Sequence, residues 1–158
     1  LLTAISQNIG SMEVRRRAIE SVAHFDSPEV HKLIREAYND SHSKLKQSSI
    51  YAMGRSSDDQ WLSIVLQEMH SEDPAIRYEA ATACGQLGDE STIPNLTTLI
   101  EDEDSLVQAA AIYALGSIGG PKVKQILELC IENGDKTLEE AAQSSLRDVE
   151  LDDNFLDF

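Results

Sequence analysis

The side chains best suited to catalysis or metal binding are two cysteines and four histidines, and their spacing predicts neither activity. Cys84 and Cys130 are too few for a disulfide framework, and neither has a histidine nearby to complete a zinc site. No two histidines are four residues apart, the spacing that places two ligands on one helix face. The sequence therefore predicts no catalytic residue, no metal and no cofactor in a reducing, cytoplasmic compartment. The histidines are His24, His31, His42 and His70.

The composition favours a folded domain and excludes several classes of partner. The chain has 158 residues, 41% of them hydrophobic, and its 13 basic and 28 acidic residues give a net charge of −15. A charge of this sign opposes binding to nucleic acids and to acidic membranes. No stretch approaches the roughly 20 apolar residues of a membrane-spanning helix. Leu1 in place of Met predicts a processed protein or a segment of a longer array.

A repeat of 31 residues organises the chain. Gly54, Gly85 and Gly116 recur at this interval, with Ala23 one period earlier. Three further slots recur in register and are almost always aliphatic or small. Four slots in register over five units predict stacked copies of one structural unit. The three slots hold Val14, Leu45, Ile76, Val107 and Leu138; Ala18, Ser49, Ala80, Ala111 and Ala142; and Val22, Met53, Cys84, Leu115 and Leu146.

Each unit predicts two helices, which we call helix A and helix B. Apolar residues at the i, i+4, i+8 spacing indicate helix A, and a second stripe after a short turn indicates helix B. Asp73, Asp104 and Asp135 occupy the N-cap of helix A, and Gly88 and Gly119 its C-terminal end. The helix B stripe of the second unit contains Trp61, Ile64, Val65, Glu68 and Met69.

Such units cannot bury their apolar faces alone, so the sequence predicts an all-α solenoid with a right-handed superhelix. The predicted array, 1–149, begins with the end of a preceding helix at about Leu1–Ser6. An acidic tail, 150–158, follows the array and either caps its open end or forms a binding motif. The predicted units are 11–41, 42–72, 73–103, 104–134 and the partial unit 135–149.

The third unit shows a family resemblance. Its sequence from Asp73 to Asp89 contains Ile76-Arg77, Ala80-Ala81 and Cys84-Gly85, and Ile93-Pro94-Asn95-Leu96 begins its second helix. This pattern resembles the short HEAT repeat of bilin-lyase-like proteins. Lys46 and Gln108 depart from the pattern by replacing its arginine, which interrupts an Asp-to-Arg ladder between repeats.

The resemblance implies two enzymatic alternatives. Deoxyhypusine hydroxylases carry His-Glu pairs on helix A directly after the position of Arg77, whereas this chain has Tyr78-Glu79 there and no histidine at the equivalent positions. A di-iron site is thereby excluded. The other branch attaches or detaches bilin chromophores, usually as two related subunits. A bilin lyase or chaperone-like subunit that handles a tetrapyrrole is therefore the alternative function.

Our main functional prediction is a non-catalytic scaffold that binds a protein or peptide with basic character on a concave helix B face. Leu66 and Leu129 are predicted to be more than half exposed there, two units and roughly 20 Å apart. Exposed leucines are also ordinary surface features, so this alternative stays open. The acidic residues 101–104 suit a basic partner or are simply solvated. The predicted partner-binding residues are Leu66, Gln67, His70, Thr98, Glu101, Gln125, Glu128, Leu129 and Glu132.

Overall fold

The computed structural model describes the backbone of residues 11–156 and the side chains of residues 11–151. The predicted N-terminal remnant, Leu1–Ser6, lies outside these residues. Within them the chain forms nine α-helices, two 3₁₀ turns (Asp59–Trp61 and Glu90–Thr92) and no strand. The helices are α1 (Met12–Val22), α2 (Pro28–Tyr38), α3 (Ser43–Arg55), α4 (Leu62–Glu68), α5 (Pro74–Leu87), α6 (Ile93–Leu99), α7 (Ser105–Ile118), α8 (Gly120–Asn133) and α9 (Lys136–Leu156).

The helices form two rows, as the repeat predicts. The A row contains α1, α3, α5, α7 and α9, and each of these helices packs on the next. The B row contains α2, α4, α6 and α8, and each packs chiefly on the A helix that follows it. One continuous apolar core runs between the rows, from Ala18 to Val149. The all-α solenoid is confirmed.

The predicted caps begin and end the A helices. The carboxylate of Asp73 accepts a hydrogen bond from the backbone N–H of Ala75, 3.0 Å away. Asp104 and Asp135 cap α7 and α9 in the same way. Gly88 ends α5 in the left-handed conformation, with φ of 69°. These short-range interactions satisfy backbone groups that a helix end leaves without partners.

Small residues allow consecutive A helices to approach very closely. A Cβ atom built on Gly54 would lie 2.7 Å from Cα of Ala83, and one on Gly85 the same distance from Cα of Ala114. Gly116 has the equivalent relation to Cβ of Ser145. The repeated glycine slot therefore marks where one A helix crosses the next, because any side chain there would fill the contact.

The B helices lie further apart than the A helices. Few backbone positions of one B helix approach the next B helix, in contrast to the close A row. That helix B lines a concave face remains a prediction.

The last helix is longer than the sequence analysis predicts. Helix α9 continues to Leu156 without interruption. The predicted boundary at 149/150 therefore lies inside a helix, and the acidic segment begins as part of the array. Val149 is buried against the core, which explains why the helix does not end there.

The glycine slot can be tested by substitution. We expect Gly85→Val to lower the free energy of unfolding by about 1–3 kcal/mol, because its side chain would overlap the backbone of α7. Chemical denaturation measures this change. Gly88→Asn is the matched control, since no atom lies within 4 Å of a Cβ there and asparagine tolerates the left-handed conformation. Equal midpoints for the two variants would contradict the close-packing interpretation.

Candidate functional site

An open groove lies between the B helices α6 and α8. It has a volume of about 390 Å³. Two of the predicted partner-binding residues, Glu101 and Leu129, line it. The wide spacing of the B row leaves this groove unfilled, so apolar surface of the core reaches solvent. The other lining residues are Thr97, Ile100, Ile126, Cys130, Asn133, Gly134 and Leu138.

Eight of the nine predicted partner-binding residues are exposed in the structure. Leu129 is 57% exposed, in agreement with the prediction. Glu128 and Glu132 are exposed on α8 but do not line the groove, and Glu101 follows α6 on its other side. The groove is thus mainly apolar, with Glu101 as the acidic residue among the described residues that line it. The remaining exposed members of the predicted set are Gln67, His70, Thr98 and Gln125.

Leu66 does not behave as predicted, and the expectation that it is more than half exposed is wrong. It is only partly exposed and packs against the core. Successive helical residues are about 100° apart, so Leu66 lies at the edge of the buried stripe that contains Val65, not opposite it. The structure therefore retains Leu129 and removes Leu66 as an exposed apolar contact.

A buried ion pair fixes the segment between α6 and α7. The Arg77 guanidinium donates to both carboxylate oxygens of Asp102, at 2.7 and 2.8 Å. The arginine holds the pKa of the Asp102 carboxyl below its usual range. Asp102 also accepts a hydrogen bond from the backbone N–H of Asp104, and Gln108 donates to the Asp102 carbonyl. These contacts position both Glu101 and the start of α7.

A second buried polar cluster replaces that ion pair in the preceding unit. Lys46, which stands in the slot of Arg77, lies 2.9 Å from the Glu68 carboxylate, and Glu68 is 4% exposed. The Tyr38 hydroxyl donates to the other Glu68 oxygen. Burial raises the pKa of Tyr38 to about 12, and its hydrogen bond to Glu68 adds to the effect. The cluster joins α2, α3 and α4, and its role is structural.

The two thiols are poor nucleophiles. Cys84 is fully buried, as its core slot predicts, and burial raises the pKa of its thiol to about 12. Cys130 is partly buried, and burial raises its pKa as well. A thiol must lose its proton to attack a substrate or bind a metal, so both are held in the unreactive form.

Within the described residues, one histidine and two aspartates come together at the start of α2. His31 Nε2 lies 3.3 Å from an Asp26 oxygen and 3.6 Å from an Asp58 oxygen. Gln60 donates its amide N–H to His31 Nδ1, because Arg35 occupies the Gln60 carbonyl oxygen. His31 Nε2 is buried and makes no hydrogen bond within the described residues, although both carboxylates lie within 4 Å of it. The three side chains together offer one nitrogen and two carboxylate oxygens within 4.8 Å of one another.

A second groove, on the helix A face, was not predicted from the sequence. It lies between α5 and α7 and is bordered by Tyr78, Leu106 and Tyr113, which are all exposed. The repeat pattern of helix A marks its core slots and says nothing of its outward positions. The signal was available, since two tyrosines and a leucine on outward positions of adjacent A helices are unusual for a solvated surface.

The fold and the repeat define an α-solenoid built from helical hairpins. A family model described as HEAT repeats matches residues 62–147, which is more than half of the chain. The chain therefore belongs to the HEAT-repeat family, and the resemblance noted in the third unit is confirmed. No match is found among curated protein sequences.

Three solved structures of similar fold were compared with the chain. The complex of CpcE and CpcF of phycocyanin lyase from Nostoc sp. PCC7120 has a TM-score of 0.70 and 17% identity; the match covers 92% of this chain. The chain spans 63% of the length of that lyase chain. Human deoxyhypusine hydroxylase in complex with glycerol has a TM-score of 0.58 and 14% identity, covering 94% of this chain and 72% of the other.

The third structure is the designed armadillo repeat protein YIII(Dq.V1)4CPAF in complex with peptide (KR)4. Its TM-score is 0.60 and its identity 17%, with 94% of this chain and 80% of that chain covered. Identities this low show a shared fold alone. Within the described residues, none of the helices combines the length and apolar character that a bilayer crossing requires.

The Arg77–Asp102 pair yields a stability prediction. We expect Arg77→Met to cost about 3–5 kcal/mol at pH 7, because it leaves a buried carboxylate without its partner. The folded-state pKa of Asp102 is lowered, so the pair stabilises the fold above the unfolded pKa, and this stabilisation is lost as the pH falls through the folded value. The difference between wild type and variant should therefore shrink below about pH 4. Urea denaturation from pH 7 to pH 3 measures it.

The matched control is the same substitution two units earlier. Arg15 lies 3.3 Å from Asp40, and both side chains are more exposed than those of Arg77 and Asp102. Arg15→Met should cost only about 1 kcal/mol, since this pair makes one longer contact and its charges are more exposed to water. Equal costs for the two variants, or a cost for Arg77→Met that does not change with pH, would contradict the assignment.

Proposed function

We propose that this chain is a non-catalytic protein-binding scaffold whose helix B face binds an apolar segment flanked by basic residues. The observation that carries the proposal is the groove between α6 and α8, where Leu129 is exposed beside apolar core surface. Glu101 lines it as well, and Glu128 and Glu132 are exposed elsewhere on α8. Two members of the partner-binding set predicted from the sequence, Glu101 and Leu129, therefore meet at this groove.

The distribution of apolar and charged groups suits protein recognition. Interfaces commonly concentrate their binding energy in a few central apolar or aromatic contacts, while surrounding charges steer approach and select the partner. Leu129 would supply the central contact here, and Glu101 in the groove, with the exposed Glu128 and Glu132 elsewhere on α8, would favour basic side chains. A repeat protein of similar fold is in complex with the basic peptide (KR)4, which supports the choice of a basic partner.

Three features support a role without catalysis. The Cys84 and Cys130 thiols are held protonated by burial. The His31 imidazole lies against Gln60 and two aspartates, with no serine hydroxyl or cysteine thiol among its contacts in the described residues. The polar clusters around Asp102 and Glu68 are already satisfied by their own partners. None of these groups is prepared to attack a substrate.

A bilin lyase subunit that handles a tetrapyrrole is the second candidate. It is favoured by the fold similarity to the CpcE and CpcF complex of phycocyanin lyase. Incubation with phycocyanobilin and an apo-phycobiliprotein, with and without a related subunit, distinguishes the two functions. Covalent attachment of the chromophore to the acceptor is detected by the absorbance of the acceptor. If it occurs, the lyase function replaces the scaffold proposal.

The scaffold proposal is tested with a displayed library of random 16-residue peptides. We expect selected peptides to combine apolar residues with flanking lysine or arginine. Leu129→Ser should weaken their binding more than tenfold, because it removes the central contact. Glu128→Gln should mainly reduce the salt dependence of binding. Fluorescence anisotropy of labelled peptides measures both effects.

The matched control is Leu151→Ser, which changes another exposed leucine, 56% exposed, that lines neither groove. It should leave binding of the selected peptides unchanged. Leu66→Ser should instead reduce stability, since Leu66 packs against the core. Peptides that bind Leu129→Ser as tightly as wild type, or that lack basic residues, would overturn the proposal.

A further inference from the structure

The helix A face contains a groove with aromatic walls and a floor of small residues. It lies between α5 and α7 and has a volume of about 480 Å³. Tyr78 and Tyr113 border it at 38% and 50% exposure, and Leu106 is 67% exposed. The floor includes Gly85, at the closest contact of the two helices, and Ala110. Both tyrosine side chains are therefore accessible to a ligand in the groove.

A second, smaller groove continues the first toward α3. It has a volume of about 290 Å³ and shares Tyr78 and Leu106 with the larger one. The carboxylates of Glu79 and Asp104 line this part. Among the described residues, no lysine or arginine lines either groove. The combined surface thus pairs aromatic rings with acidic groups.

We propose that this helix A groove binds an extended, arginine-bearing segment of a protein partner. Its guanidinium groups would lie against Tyr78 and Tyr113 and pair with Glu79 and Asp104. This site is separate from the helix B groove, because the two lie on opposite rows of the stack.

Arginine suits this surface better than other side chains. A guanidinium is flat and weakly hydrated, so it can stack on an aromatic ring and still donate hydrogen bonds to a carboxylate. The chain already contains this arrangement, since the Arg35 guanidinium lies 4.5 Å from the centre of the Trp61 ring. Arg35 there also donates to the Gln60 carbonyl oxygen.

The groups around Glu79 add a proton-linked signature. Burial raises the pKa of Glu79 to about 7, and the nearby Glu20 carboxylate raises it further, while Arg16 opposes the shift. Asp104 faces the same groove from the start of α7. A bound guanidinium would favour the ionised form of Glu79, so binding should release protons near pH 7 and strengthen as the pH rises.

The probe is a fluorescein-labelled decapeptide of alternating arginine and alanine, with a citrulline-for-arginine peptide as the uncharged comparison. We expect the arginine peptide to bind at least tenfold more tightly than the citrulline peptide. Its affinity should increase about fivefold between pH 6 and pH 8. The double variant Tyr78→Leu with Tyr113→Leu should weaken binding more than fivefold, while Glu79→Gln should remove most of the pH dependence.

Two controls separate this site from the fold and from the helix B groove. Circular dichroism and the urea midpoint test whether the tyrosine variants remain folded, which we expect because the changed side chains are partly exposed. If the double variant unfolds, the single variant Tyr113→Leu takes its place. Leu129→Ser, on the other face, should bind the arginine peptide as wild type does. Equal binding of arginine and citrulline peptides, undiminished binding by folded tyrosine variants, or a loss caused by Leu129→Ser would overturn the proposal.

Discussion

Consecutive A helices cross at a glycine, and the shape of the whole stack depends on this contact. At Gly54 and Gly85 the surface that meets the next helix is the backbone itself, so the spacing of the A row cannot increase without losing contact. The B helices approach one another at few backbone positions, and an open groove lies between two of them beside Leu129.

The polar contacts that join the helices vary more than the apolar ones. One slot on helix A holds Arg15, Lys46, Arg77 and Gln108 in successive units. The two arginines pair with an aspartate that follows the B helix, whereas the lysine pairs with the buried Glu68 inside it. The slot thus requires a donor long enough to reach helix B, and the partner can change because apolar packing sets the spacing.

The sequence predicts those features that are local or repeated, and it fails where a contact arises from stacking. The caps at Asp73 and Gly88 depend on backbone groups a few residues away, so their positions could be predicted. The exposure of Leu66 depends on its angular position around the axis of the short helix α4, where it lies one residue from the buried stripe. The burial of Glu68 depends on Tyr38, which belongs to a neighbouring helix in another unit. A periodic pattern in one segment contains neither piece of information.

The helix A groove shows the same limit in another form. The positions of helix B that do not belong to the core predict one candidate surface. Helix A has an exposed face too, because each row packs against the other on one side only. Its exposed tyrosines lie on α5 and α7, and they border one groove only because Gly85 lets these helices approach. The small residues that permit close packing also form the floor of the groove. Stability of the stack and the shape of this surface therefore depend on the same positions, and a change at Gly85 alters both.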